Sequence, residues 1–132
     1  MKRIICGVCA ALLALTGVSC AAPTKQEEPV YKNITAEDAK RMMDTEDNYV
    51  ILDVRTEEEF AAGHIEGAIL IPDYEIETLA PTLLPDKEQM LLVYCRSGRR
   101  SKLASEALLA MGYTNIYEFG GILDWPYGTV TE

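Results

Sequence analysis

A strand-length apolar run, Met90-Leu91-Leu92-Val93-Tyr94, leads straight into Cys95-Arg96-Ser97-Gly98-Arg99-Arg100-Ser101, and a helical pattern begins where this polar segment ends. A cysteine at the end of a buried strand, just ahead of a helix N-terminus, lies where backbone N–H groups and the helix dipole gather positive potential. That potential favours thiolate over thiol. Gly98 lets the loop adopt angles that a side chain forbids, so successive amides turn inward as an anion-binding nest. Arg96, Arg99 and Arg100 add positive charge. The plainer alternative is a structural cysteine followed by a solvated basic turn. Three arginines and a glycine immediately after a strand-end cysteine argue against it.

The same alternation of strand and helix patterns runs along the rest of the chain. Thr35-Ala36-Glu37-Asp38 predicts a helix start with Thr35 as N-cap, and Ala39, Met42 and Met43 give that helix an apolar face. Tyr49–Val54 reads as a central strand. Thr56-Glu57-Glu58-Glu59 opens a short helix through Ala62 that Gly63 ends. Ala68–Ile71 reads as a strand stopped by Pro72, and Tyr74–Ala80 as a helix closed by Pro81. Ser101–Met111 repeats apolar residues at helical spacing and is capped by Gly112. Asn115–Glu118 is a last strand, ahead of Gly120-Gly121. This order predicts an α/β fold, a three-layer α/β/α arrangement with a mainly parallel central sheet. Ligands in such sheets bind beyond the carboxyl ends of the strands, where both Asp53 and Cys95 fall.

The N-terminus is of another kind. Lys2 and Arg3 precede the apolar run Ile4–Val18, and small residues follow, so residues 1–20 read as a secretory signal. Thr16-Gly17-Val18-Ser19-Cys20 resembles a bacterial lipobox, although Gly17 stands where leucine is usual. The resemblance implies cleavage before Cys20 and lipid on its sulfur; the alternative is ordinary cleavage after Ala21. Residues 21–30, polar and proline-bearing, read as a flexible tether, with the domain over 31–132. An exported, cell-envelope or periplasmic protein anchored to a membrane is expected. Of the four cysteines, Cys6 and Cys9 leave with the signal and Cys20 is lipidated or lost, so Cys95 remains as a free thiol in an oxidising compartment. With one histidine, His64, no zinc site is expected, and no metal or cofactor. The full chain holds 12 basic and 21 acidic residues; losing Lys2 and Arg3 takes the net charge from −9 to −11. That balance argues against nucleic-acid binding. It also makes the arginines beyond Cys95 a local exception, a pocket for a small anion.

Three blocks resemble the rhodanese (sulfurtransferase) family. The first is Asp53-Val54-Arg55, Glu59-Phe60, Gly63–Ala68 and Ile71-Pro72; the second is Tyr94–Ser101; the third is Met111-Gly112-Tyr113, Gly120-Gly121-Ile122 and Trp125. Order and spacing agree throughout, and the match looks like the single-domain form. The resemblance implies a thiosulfate sulfurtransferase-like enzyme. Cys95 thiolate would attack the outer sulfur of a small anionic donor such as thiosulfate, sulfite would leave, and Cys95 would carry a persulfide. A thiol or cyanide acceptor would then take the sulfur. The loop amides from Arg96 to Arg100, including Ser97 and Gly98, would stabilise the persulfide anion. The arginines would hold the sulfonate, Arg100 first and Arg96 next. Two alternatives stand beside this reading: a non-catalytic persulfide carrier or partner-binding module, and a Cdc25-type phosphatase or arsenate reductase. The last two use a loop with one residue more between Cys and Arg than the four found here, Arg96 to Arg99.

The remaining matched residues carry paired readings. Asp53 and Arg55 either support the loop from behind or are a strand-end acid and an arginine paired with Glu58 or Glu59. Glu59 completes a capping box. His64 makes a structural hydrogen bond, with no part in proton transfer. Trp125 and Tyr127 rim the pocket or bury the end of the chain. The oligomeric state has no signature in the sequence.

Overall fold

Five strands lie side by side in the order β1-β5-β4-β2-β3, and every pairing between them is parallel. They are β1 (Lys32–Asn33), β2 (Tyr49–Asp53), β3 (Ile69–Leu70), β4 (Met90–Cys95) and β5 (Ile116–Gly121). The computed structural model describes residues 30–132 and, ahead of them, only Gly17. The signal segment, lipidation at Cys20 and nearly all of the expected tether therefore lie outside the described residues.

The central strand β4 explains the layering. Its residues from Leu91 to Cys95 are all buried, as a strand covered on both faces requires. Side chains alternate across a strand. Leu91, Val93 and Cys95 accordingly join Leu52, Val54 and Ile116 on one face, under α3 (Ile76–Leu83) and α4 (Arg99–Ala110). Leu92 and Tyr94 join Ile51, Ile65 and Phe119 on the other, with Ala39 of α1 (Ala36–Thr45). The two cores make the three-layer α/β/α arrangement. Tyr113, buried just after Gly112, ties the end of α4 to α3 within that layer: its hydroxyl donates to the carbonyl of Leu84 at 2.6 Å and to that of Ala80 at 3.0 Å.

Local chemistry sets the helix ends. Thr35 Oγ1 accepts from the Asp38 amide at 3.0 Å, and Thr56 Oγ1 accepts from the Glu59 amide at 3.2 Å at the start of α2 (Glu57–Ala62). Several boundaries differ from expectation. A 3-10 turn, Asp73–Glu75, precedes α3, and Pro81 lies inside that helix instead of closing it. The carbonyl that Pro81 leaves without a donor belongs to Glu77, and both residues are exposed, so the position is open to solvent. Helix α4 starts at Arg99, two residues earlier than its apolar spacing suggests, because Gly98 turns into it at φ +104°. The last strand runs on to Gly121, and the edge strand β1 has no counterpart in the sequence reading.

Candidate active site

Cys95 ends β4 on the face that α4 covers and is fully buried. The loop from Arg96 to Gly98 closes over it, and the Gly98 amide donates to Sγ at 2.9 Å. Arg96, Ser97 and Arg99 are exposed, Arg100 is half-buried and Gly98 is buried. The basic loop is thus a rim around an enclosed sulfur. Among the described residues Cys95 is the free cysteine.

The neighbouring strand makes room for this loop. Val93 pairs with Glu118 but Cys95 pairs with Gly121, so β5 carries one residue more than β4 over this stretch. That β-bulge, with Gly120 at φ +88°, brings Gly121 against the loop. A Cβ at Gly121 would lie 2.0 Å from the Arg96 carbonyl oxygen and 2.6 Å from Ser97 Cα. The Leu123 amide, one turn on, donates to the same Arg96 carbonyl at 3.2 Å. The glycine pair and the bulge hold the loop's backbone in place from below.

The expected site residues separate into three groups. Arg100 forms a two-pronged pair with Glu59, Nη1 to Oε1 at 2.7 Å and Nη2 to Oε2 at 2.9 Å. The hydrogen bond to Arg100 foremost holds the Glu59 carboxyl below its usual range, and the same bond raises Arg100. Arg96 and Arg99 keep their side chains outside the ion pairs found among the described residues. Asp53 and Arg55 bind each other, with Nη2 to Oδ2 at 2.7 Å and Nε to Oδ1 at 3.0 Å, and Arg55 Nη2 also donates to the Gly63 carbonyl at 2.7 Å. Neither pairs with Glu58 or Glu59. Burial pulls the Arg55 guanidinium down, but the Asp53 carboxylate outweighs it and the net shift is upward. The Arg55 guanidinium lies 5.7 Å from the centre of the Tyr94 ring, directly upstream of Cys95. Burial first, then Asp53, pushes the Tyr94 phenol up, and its oxygen accepts from the Ile65 amide at 3.1 Å.

His64 is structural. Nδ1 lies 2.9 Å from the Phe60 carbonyl, and the ring stacks on Phe60 at 3.7 Å. Trp125 packs on Phe119 at 5.5 Å between ring centres and Tyr127 meets Trp125 edge-on at 4.9 Å. Both belong to the face of the sheet opposite Cys95, where they line a cavity of about 480 Å³ with Ile51 and Ile65. They do not rim the sulfur. A smaller cleft of about 340 Å³ lies beside the loop, lined by Arg55, Glu59, Gly63, Arg96, Ile122 and Leu123 among others.

Two groups behind the sulfur escaped the sequence reading. Ser101 Oγ is 3.4 Å from Cys95 Sγ and 2.6 Å from Glu118 Oε1. Glu118 is fully buried. The signal for it was present: a charged residue between Tyr117 and Phe119 in an otherwise apolar strand.

A strand-end cysteine under a glycine-shaped loop, on a five-stranded parallel sheet covered on both faces, defines an α/β domain built around one enclosed sulfur. The model of the rhodanese-like domain matches residues 35–126, and the chain belongs to that family. It is 42% identical over 73 residues to the thiosulfate sulfurtransferase PspE of Escherichia coli, covering 55% of this chain and 70% of that one. It is 35% identical over 88 residues to a sulfurtransferase of Allochromatium vinosum, covering 66% of this chain and 79% of that one. A solved rhodanese with anions from E. coli superposes with a TM-score of 0.60 at 38% identity, covering 64% of this chain and 99% of that one. Among longer relatives, the chain spans 49% of one and 27% of others.

Proposed function

We propose that this protein is a thiosulfate sulfurtransferase-like enzyme that moves a sulfane sulfur from a small anionic donor to a thiophilic acceptor through a persulfide on Cys95. The observation that carries the reading is the Gly98 amide donating to Sγ at 2.9 Å, in a loop with four residues between Cys95 and Arg100, a spacing that suits a single sulfur better than a tetrahedral phosphate. A donor of the thiosulfate type has a narrow outer sulfur and a sulfonate. The sulfur enters the enclosed position, and the sulfonate stays at the rim with Arg96 and Arg99, whose side chains make no ion pair among the described residues. Arg100, engaged by Glu59, shapes the loop and is second to Arg96 as a donor ligand. Cys95 Sγ bonds the outer sulfur, the bond to the sulfonate breaks and sulfite leaves. A thiol or cyanide acceptor then removes the outer sulfur.

The test is intact mass after exposure to thiosulfate, alongside thiocyanate formation from thiosulfate and cyanide. The wild type gains the mass of one sulfur and turns over; Cys95→Ala does neither. A wild type that shows no such gain and no rate above Cys95→Ala overturns the reading.

Export and anchoring belong to the same proposal. The basic and apolar leader with Cys20 supports a lipid-anchored protein of the cell envelope. Metabolic labelling with a palmitate analogue is expected to mark the wild type. A Cys20→Ala variant that still partitions with membranes counts against it.

A further inference from the structure

Glu118 is a buried acid that the transfer scheme above leaves without a task. It lies on the same face of β5 as Ile116, facing α4, and nothing of it reaches solvent. Oε1 accepts from the Gly120 amide at 2.8 Å and from Ser101 Oγ at 2.6 Å, and Oε2 accepts from Asn33 Nδ2. These donors orient the carboxylate but supply no countercharge, and no Lys or Arg pairs with it among the described residues. Its Oε1, at 2.6 Å, is the nearest acceptor within reach of Ser101.

Ser101 is the bridge. Its hydroxyl has one hydrogen and four neighbours: Glu118 Oε1 at 2.6 Å, the Gly98 carbonyl at 3.1 Å, the Gly120 carbonyl at 3.3 Å and Cys95 Sγ at 3.4 Å. The carboxyl oxygen, the closest of the four, takes the hydrogen. The lone pairs of Oγ are then left to accept from the Cys95 S–H. A thiolate and a carboxylate on either side of one hydroxyl, both fully buried, would be like charges close together, so the geometry suits one proton passing between them.

We infer that Glu118 is the proton-holding partner of Cys95, taking the thiol proton through Ser101 when sulfur is loaded and returning it when sulfur is delivered. This rests on Cys95 being the nucleophile. In loading, the S–H proton passes to Ser101 Oγ as the Ser101 hydrogen passes to Glu118 Oε1. Sγ bonds the outer sulfur of thiosulfate, and the electron pair of the broken sulfur–sulfur bond leaves with sulfite. In delivery, cyanide carbon bonds the outer sulfur and the pair of the Sγ–sulfur bond returns to Sγ. Sγ then takes a proton from Ser101 as Glu118 gives up its own. The protein ends as it began, with no bulk proton needed in either half. Glu118 acts through Ser101 and is a positioning residue in this scheme.

Other charged groups face the same region. Arg96, Arg99 and Arg100 lie on the loop, and Glu59 on α2 and Asp73 ahead of α3 act on Arg100. Tyr31 and Glu106 lie on the far side of Glu118, where burial, then Glu106, then Glu118, raise the Tyr31 phenol. All of these remain in the variants below, so the comparison isolates the relay.

The experiment follows alkylation of Cys95 by iodoacetamide across pH, which needs the thiol proton removed but no sulfur donor. Persulfide loading from thiosulfate is followed by mass in parallel. Glu118→Gln and Ser101→Ala are expected to slow alkylation at neutral pH at least about tenfold. Their rates then climb with hydroxide until they meet the wild type at high pH, whereas the wild-type rate changes little over that range. Ser101→Thr, which keeps the hydroxyl, restores the wild-type profile. Ser101→Ala leaves the Asn33 and Gly120 bonds to Glu118 in place, so it answers the question should Glu118→Gln fail to fold. Alkylation profiles for both variants that overlay the wild type overturn the relay, even if persulfide loading is intact. A wild type that alkylates with the expected profile yet never gains sulfur retains the relay as a property of the thiol and overturns the transfer scheme instead.

Discussion

Gly121 is held to glycine by contact alone, since its backbone is extended at φ −132°. Any side chain there meets the Arg96 carbonyl oxygen at 2.0 Å, and that carbonyl is already fixed by the Leu123 amide. The loop must move, and the Gly98 amide moves with it away from Sγ. Gly121→Ala is expected to lose most turnover with thiosulfate and cyanide and to lower stability by about 1–3 kcal/mol, read from the urea midpoint. Full activity in that variant would show that the loop tolerates displacement. Glu118 teaches the complementary lesson. Its charge in an apolar strand was visible in the sequence, but the partner that gives it meaning, Ser101, is 17 residues away and meets it only when α4 packs on β5.

At the scale of elements, β2 and the segment after α2 are joined by the buried pair of Asp53 and Arg55, through the bond from Arg55 to the Gly63 carbonyl. Arg55→Met leaves the Asp53 carboxylate buried without a cation, which costs about 3–5 kcal/mol; replacing both residues, with Asn at 53 and Met at 55, is expected to cost less than the single change. Chemical denaturation of the three proteins checks the order. Strands β2 and β4 and the caps of α1 and α2 were legible because apolar runs and Thr side chains act locally. The start of α4 was not, because Arg99 and Arg100 add nothing to an apolar stripe and the helix begins on the backbone freedom of Gly98. The strand β1 was not, because Lys32 and Asn33 are exposed, polar and held by pairing and side-chain contacts with Tyr117 and Glu118, far along the chain. The arginine loop was legible as chemistry, but the engagement of Arg100 by Glu59 spans 41 residues and depends on how α2 and α4 meet.

Across the whole molecule, acid is the condition that tests this packing. The folded Glu59 carboxyl is held below its ordinary value by Arg100, so its contribution is present above the unfolded value and is lost as pH falls through the folded one. The pair is partly exposed, with 28% and 27% of the two side chains accessible, and is worth about 1 kcal/mol or less. Glu59→Gln is therefore expected to flatten the decline in thermal stability below the ordinary glutamate range, and to leave stability nearly unchanged there, at the acid end. A decline as steep as that of the wild type would mean that the pair contributes nothing. The extra residue in β5 has a further consequence for how this sheet can vary. Upstream of it, pairing with β4 counts residue for residue; downstream, the count is offset by one. Losing a single position there would leave the hydrophobic alternation of the strand readable and the sheet assembled. It would also remove the bulge that now presses Gly121 against the Arg96 carbonyl, so the loop over the nucleophile would lose the strand segment it rests on.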